Sequence, residues 1–532
     1  MMIRNPIIPG FNPDPSIVRV GDDYYIATSS FSFFPGIPVY HSRDLVSWEL
    51  SGYAFSRHSQ LQLTPEHISG GLFAPTLRYH GNLFYVIVTN VTIGRTGIVT
   101  SSDPGGEWSE VHFLPELFDP DLFWDDDGRC YVAYAVFTGE KRICIRELDT
   151  EKWELKGEER RIWDGALANA VSPEAPHIYK KDGWYYLMIA EGGTEHYHSV
   201  TVARSRKLFG PYEANPANPI LTHRHLSNNN PICNVGHADF VELPDGNWYA
   251  VFLGSRIYGG YHKNLGRETF IAPVTWEDEW PKIAADTGKC EFEYPAPNLP
   301  EFHAKTTPAF DDFDLPELSG QWNFIGTPVN DVYRIADSRL YLKAIAESLH
   351  PFEHKKHEGE DTDRFMTVKP HALAFVGRRQ TDMSFTACCD ADFYPKGSET
   401  CGIAVIQERY NGLRIEIAII NGMRVARAMK YEATYTGTEC EAKPYEHKEV
   451  LGVCELREGT VKIEISAEGQ NFSFRVTDTE GSKLLAENID GRFMGSETAG
   501  GFIGAYVGMF CSGNGKDSGS EAAFESFTYI GR

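Results

Sequence analysis

The sequence predicts an all-β protein: a five-bladed β-propeller followed by a β-sandwich domain. Three observations carry this reading. Five segments within the first 280 residues share one pattern of strand, polar turn and aromatic strand. A proline-rich stretch then interrupts the pattern, and alternating apolar runs resume beyond it. The helical period of about 3.6 residues is nowhere sustained in the first half.

The segments open on Asp14-Pro-Ser-Ile, Ala74-Pro-Thr-Leu, Asp119-Pro-Asp-Leu, Glu174-Ala-Pro-His-Ile and His237-Ala-Asp-Phe. Each passes through a short apolar strand into a polar turn such as Asp127-Gly128, Asp182-Gly183 or Asp245-Gly246, the strongest hairpin signal. An aromatic strand follows, and the offset from head to aligned tyrosine is 11 or 12 in every segment, counted from Ala175 in the fourth. A fixed offset inside repeats of roughly 45–65 residues marks a radial β-repeat, one segment to a blade. If each head starts an innermost strand, the five heads converge on one axis.

The pattern stops after Trp276 and Trp280. The run Tyr294-Pro-Ala-Pro-Asn-Leu-Pro300 reads as an extended linker within about 282–308. This divides a propeller domain (1–300) from a sandwich domain (309–532), whose strands include Gly402-Ile-Ala-Val-Ile and Val461-Lys-Ile-Glu-Ile.

With 532 residues the chain exceeds one ordinary core, as two domains require. A net charge of −24 argues against nucleic acid or an anionic membrane as partner and leaves neutral ligands such as carbohydrate untouched. No stretch approaches the roughly 18 apolar residues of a membrane span, and the N-terminus lacks a signal-peptide core. Ten scattered cysteines without a CxxC suit reduced thiols, so a soluble, cytoplasmic protein is expected.

The heads place Asp14, Asp119 and, one position early, Glu174 around one axis. An Asp-Pro pair alone is explained by an extended or turn conformation with local capping. Ala74 fills the same slot in the second blade, so the turn does not require an acid. Like charges crowded together resist ionisation, so three carboxylates at equivalent positions point to chemistry. Separated carboxylates suit glycoside hydrolysis: one protonates the leaving oxygen while another activates water or attacks the anomeric carbon. A glutamate protonated near neutrality must rise from about 4.3 to roughly 6–7, on the order of 3 kcal/mol, which burial and a neighbouring aspartate can supply.

Other residues have blander readings. The acidic run from Asp119 to Asp127 lacks calcium-loop spacing, and Asp121 is an alternative to Asp119 on the same strand face. His237 heads the fifth blade and would orient an acid or hold a cation or water on the axis. His196 and His198 read as a strand rim; His350, Glu353, His354 and His357 read as solvated loop. Walker, Rossmann and G-x-S-x-G signatures are absent.

Taken together, the segments Gly10-Phe-Asn-Pro-Asp-Pro-Ser16, Phe118-Asp-Pro120, Ser172-Pro-Glu-Ala-Pro-His177, Glu191-Gly-Gly-Thr194, Gly236-His-Ala238 and Leu265-Gly-Arg-Glu-Thr269 resemble glycoside hydrolase family 43. The likeness is to its two-domain β-xylosidase and α-L-arabinofuranosidase members and covers almost the whole chain. It implies exo-acting, inverting release of β-D-xylose, α-L-arabinofuranose or both from short oligosaccharides. Asp14 would be the general base, Glu174 the general acid, and Asp119 the residue that orients Glu174 and keeps its pKa high. Arg267 would bind sugar hydroxyls, with His237 beneath the pocket and Phe31 and Phe33 lining it. In the sandwich, Gly500-Gly501-Phe502 resembles a loop that reaches over the propeller, a residue shorter than the family's, with Phe502 closing the pocket. Phe73-Ala-Pro-Thr76 stands where many family xylosidases read Trp-Ala-Pro-Asp, so Phe73 gives a smaller pocket wall and a carboxylate is lost. No cofactor is required; a structural cation such as calcium near His237 and assembly into a homo-oligomer are further expectations. Alternatives are a retaining, fructan-type five-bladed enzyme and a sugar-binding propeller without turnover.

Overall fold

A computed structural model describes residues 1–65, 68–168, 171–329, 331–350, 373–434 and 445–532. The expected architecture is borne out: strands dominate, and the described helices are a 3-10 turn at Arg492–Met494 and a single turn at Ser496–Ala499.

Five antiparallel sheets form the blades, four of them built from strands consecutive in sequence and the first omitting Phe33–Phe34, which pairs outside the blade. Their inner strands are Ser16–Val20, Leu72–His80, Phe118–Trp124, Glu174–Lys181 and Ile232–Glu242. Every predicted head therefore enters an innermost strand. No strand is exchanged between the first and last blades. The ring is tied instead by Met2–Arg4 pairing with Glu293–Pro295 and by Asn5, which bonds Ile271 and Glu291. Part of the expected linker is thus a closing strand with Tyr294 buried beneath it. Further along, Asp44 and Glu49 of the first blade accept the backbone N–H groups of Phe302 and Lys305.

The axis is filled by polar side chains from all five blades. Arg78 lies 2.8 Å from Asp121 and 2.7 Å from Asp239, both acids fully buried. Asp239 also accepts the hydroxyls of Ser16 and Tyr179, and Asp121 accepts the N–H of Ile178. His177 meets the same guanidinium at 2.9 Å. Burial opposes the charge on Asp239, yet Arg78, His177 and Tyr179 hold its carboxyl well below the ordinary range. Asp121 is therefore committed to the axis.

The second domain packs two sheets face to face. One runs from Tyr333–Ala336 through Glu521–Gly531 and Phe385–Asp392 to Gly481–Asp490; the other from Phe375–Arg379 through Thr400–Glu408 to Tyr445–Glu455. Alternation along Val461–Glu468 sends Val461, Ile463 and Ile465 into a core that includes Ile403, Ile415 and Phe524. That core continues into the first two blades through Val39, Leu77 and Trp322. Phe324–Ile325 pairs with Phe33–Phe34 of the propeller, and Arg379 donates to the carbonyl of Phe11. One expectation needs correction. His350 is buried, stacked on Tyr431 at 4.3 Å and beside Arg414, because the hairpin Asn411–Ile420 and Met423–Thr434 covers it. Glu353, His354 and His357 lie outside the described residues.

Arg78→Met keeps the volume and strands two buried carboxylates. Unfolding free energy should fall by about 3–5 kcal/mol, read as a lower urea midpoint at unchanged slope. A variant as stable as the parent would mean that the axis does not depend on this ion pair.

Candidate active site

The slot found by counting offsets has a backbone meaning. Asp14, Asp119, Ala175 and His237 all have left-handed φ, at 54°, 46°, 51° and 53°. Asp14 and Asp119 are therefore not extended before proline, as an isolated Asp-Pro would be; non-glycine residues hold such angles only where their surroundings enforce them. In blades two to five the ladder also shifts register at the head, between Leu72 and Pro75, Phe118 and Asp121, Glu174 and His177, and Gly236 and Asp239. Each bulge breaks the alternation and re-aims the head side chain, a device common beside functional sites. In blade four the left-handed residue is Ala175, which is why the acid stands one position early.

The structure brings Asp14, Asp119, Glu174, Arg267 and His237 together. Asp14 is buried; its Oδ1 lies 2.8 Å from Arg267 Nη1, and its Oδ2 accepts the Ser29 hydroxyl at 2.5 Å. His237 Nδ1 stands 3.7 Å from the same carboxylate. Burial works to raise the Asp14 pKa, but the Arg267 charge and the Ser29 hydrogen bond lower it below the ordinary value. The other two acids move the opposite way. Burial and the Asp14 charge push Glu174 up to about 8. Burial, Glu174 and Asp14 raise Asp119 as well, while the N–H of Ala175 favours its charged form. One pocket thus holds a carboxylate and two reluctant carboxyls, the arrangement that separates base from acid.

The supports are partly residues that sequence reasoning passed over. His198, expected on a strand rim, is buried; its Nδ1–H donates to the Asn234 carbonyl at 2.9 Å, and its ring lies over Gly236. A Cβ on Gly236 would stand 2.5 Å from that ring, which accounts for the glycine before His237. Burial pushes His198 down to about 4 and His237 to about 3, so both are neutral near pH 7. Glu191 accepts Ala166 N–H and the Thr201 hydroxyl, pinning the loop that leads toward Glu174. Thr194 accepts Arg267 Nη1 at 3.1 Å. The Glu191-Gly-Gly-Thr194 motif was visible in the sequence, but nothing local showed what it would hold.

Phe31, Phe73 and Phe502 form the aromatic wall. Phe31 lies 4.9 Å from Phe73 and 6.4 Å from Phe502 between ring centroids, and Arg267 sits over Phe31 at 5.5 Å. The loop carrying Phe502 does reach the propeller: its N–H donates to Ser69 and its carbonyl accepts Arg267. Its ring remains 44% exposed, at the pocket rim. Phe33 is a correction. Its ring stacks on Tyr506 at 3.7 Å in the interdomain core, because Phe33–Phe34 pairs with the sandwich strand Phe324–Ile325.

The surroundings of His237 do not suit a calcium ion, which takes six to eight oxygen ligands. Asp14 is committed to Arg267 and Ser29, and Asp121 and Asp239 beneath are neutralised by Arg78, whose charge would repel a second cation. Among the described residues no cluster of three or more histidine, cysteine or acidic side chains could hold a metal.

A five-bladed propeller with three convergent carboxyls of divided ionisation is the framework of a glycoside hydrolase. The family described as Glycosyl hydrolases family 43 matches residues 3–281, and the Beta xylosidase C-terminal Concanavalin A-like domain matches residues 310–530. The chain is 37% identical to a xylosidase/arabinosidase of Butyrivibrio fibrisolvens over 99% of both proteins. It is likewise 37% identical to the non-reducing end alpha-L-arabinofuranosidase BoGH43B of Bacteroides ovatus, over 99% of this chain and 94% of that protein. The solved structure titled Bacteroides ovatus Xyloglucan PUL GH43B superposes with a TM-score of 0.89 at 36% identity, with both chains fully covered. The chain belongs to glycoside hydrolase family 43, an inverting family with exo-acting members.

Incubation with a chelator, followed by desalting, should leave both Tm and turnover unchanged. A loss restored by calcium would reverse the reading of the axis.

Proposed function

We propose that this glycosidase removes terminal β-D-xylose, α-L-arabinofuranose or both from the non-reducing ends of short oligosaccharides by single displacement. The carrying observation is the convergence of Asp14, Asp119 and Glu174 beside one guanidinium, with Arg267 Nη1 on Asp14 at 2.8 Å. Asp14, kept charged by Arg267, takes a proton from water as that water attacks the anomeric carbon. Glu174, kept protonated by burial and by the Asp14 charge, gives its proton to the leaving oxygen. Asp119, itself held back from ionising by burial, Glu174 and Asp14, fixes the segment of Glu174 by accepting the N–H of Ala175. Glu174 is only partly buried, which suits an acid that meets the leaving group at the pocket mouth. The packed axis below His237 supports removal of one terminal sugar, since a chain cannot thread through it.

The aromatic wall of Phe31 and Phe73 suits the face of a pentose, and relatives whose names cover both sugars support the dual assignment. A cytoplasmic setting belongs to the same proposal. All nine described cysteines are free, and Cys401 and Cys511 face each other across paired strands as thiols.

Activity should need Asp14 ionised and Glu174 protonated. kcat/KM should therefore rise with pH only at the acid extreme, below the ordinary aspartate range, and fall as pH passes about 8. Asp119→Asn keeps an acceptor for Ala175 and should leave the basic limb in place; a limb moved down would mean that Asp119 is charged beside Glu174. Asp14→Ala and Glu174→Ala should each cost at least about 10²–10⁴ in kcat with Tm nearly unchanged; most of the activity surviving in either would remove that residue's role. Proton NMR of the first product should show inversion; retention would favour a double displacement. Rates on 4-nitrophenyl β-xyloside and α-arabinofuranoside rank the two sugars, and no turnover of either would refute the substrate class.

A further inference from the structure

The sandwich domain enters the pocket through one loop, and a buried acid far from the chemistry holds that loop. Glu408 ends the strand Thr400–Glu408, where a two-residue turn leads into Asn411–Ile420. Its Oε1 accepts the hydroxyl proton of Ser69, a propeller residue. Ser69 Oγ in turn accepts the N–H of Phe502 at 2.9 Å. A serine has one proton to give, and with Phe502 donating into Oγ that proton goes to Glu408.

The chain of contacts continues to the reacting groups. The Phe502 carbonyl accepts Arg267 Nη2 at 3.3 Å, and Nη1 of the same guanidinium lies 2.8 Å from Asp14 Oδ1. The loop has little slack at its start. Gly501 is left-handed, with φ +71°, and a Cβ there would stand 2.5 Å from Ser69 Oγ and nearer still to Glu408. Burial pushes the Glu408 carboxyl up to about 7 against the Ser69 hydrogen bond and the Arg409 charge. An acid kept in such a place at a cost in desolvation calls for a structural return.

We propose that Glu408 is a positioning residue for hydrolysis: through Ser69 it sets the Phe502 carbonyl, and that carbonyl fixes Arg267 against Asp14. This rests on the reading of Asp14 as the base. Glu408 itself touches neither sugar nor water. Its effect is on the pKa of Asp14, because Arg267 is the group that lowers that pKa most, and a loosened guanidinium lowers it less.

The test uses the full chain with Glu408→Ala, Glu408→Gln and Ser69→Ala, measuring kcat/KM against pH on the better aryl glycoside, together with Tm. Glu408→Ala and Ser69→Ala should move the acid limb up by about one pH unit and lower kcat about tenfold. Glu408→Gln retains an acceptor oxygen for Ser69 and should restore the parental limb. A limb that stays in place in Ser69→Ala and Glu408→Ala, whatever happens to Tm, overturns the proposal. So does a Gln variant as impaired as the Ala variant. Asp14→Asn separates the two readings. Full turnover in that variant removes the base assignment, whereas an inactive Asp14→Asn beside unmoved limbs removes only the role of Glu408.

Discussion

The contact between Arg267 and Asp14 is the constraint on which the rest of the site turns. Three carboxyls brought together without a cation would all tend to protonate, since each buried charge raises the cost of the next. One guanidinium placed against one of them breaks that equivalence. Asp14 becomes the cheapest place for negative charge, and its charge then makes ionisation harder for Asp119 and Glu174. The unequal ionisation of the three follows from where a single positive group sits, with no need for different side-chain chemistry. Burial keeps His198 and His237 neutral, so neither adds a second positive charge that would favour ionisation of Asp119 and Glu174.

Holding a guanidinium at that point takes both domains. Thr194 and Asp14 bind one face of Arg267 from the propeller, and the Phe502 carbonyl binds it from the sandwich. The paired strands Phe33–Phe34 and Phe324–Ile325, with Arg379 on the Phe11 carbonyl, make the two domains a single packed body around this point. Lys263 adds a second tie, reaching Glu195 at 2.6 Å beside Thr194 and Glu497 at 3.1 Å just before the loop. The sandwich is thus part of the site's framework and not a tethered accessory.

What could be read from the sequence was whatever repeats. Four of the five heads share a left-handed residue at the start of an inner strand, so a simple count of offsets located Asp14, Asp119 and His237 and even registered the displacement of Glu174. What could not be read was which distant residues meet. Arg267 and Asp14 are 253 positions apart, and Phe502 and Arg267 are 235. No local pattern encodes such pairings. Phe33 misled for the same reason: an aromatic two residues from Phe31 looks like the same wall, but its strand pairs with the other domain. His350 and His198 looked exposed in polar surroundings, and only the hairpin over one and Gly236 under the other make them interior.

The axis carries the argument one step further. A propeller leaves a channel where its inner strands converge, and something must fill it. A bound cation could do so by drawing acidic side chains inward. Here Arg78 supplies the positive charge covalently, with Asp121 and Asp239 as its counter-ions. A buried ion network of this kind contributes little net stability, because desolvation offsets the attraction. Its benefit is geometric. It fills the axis on the strand that carries His237 with a side chain that cannot dissociate. The carboxyls thus stand between two fixed boundaries, the Arg78 network on the axis and a loop that the second domain holds against Arg267.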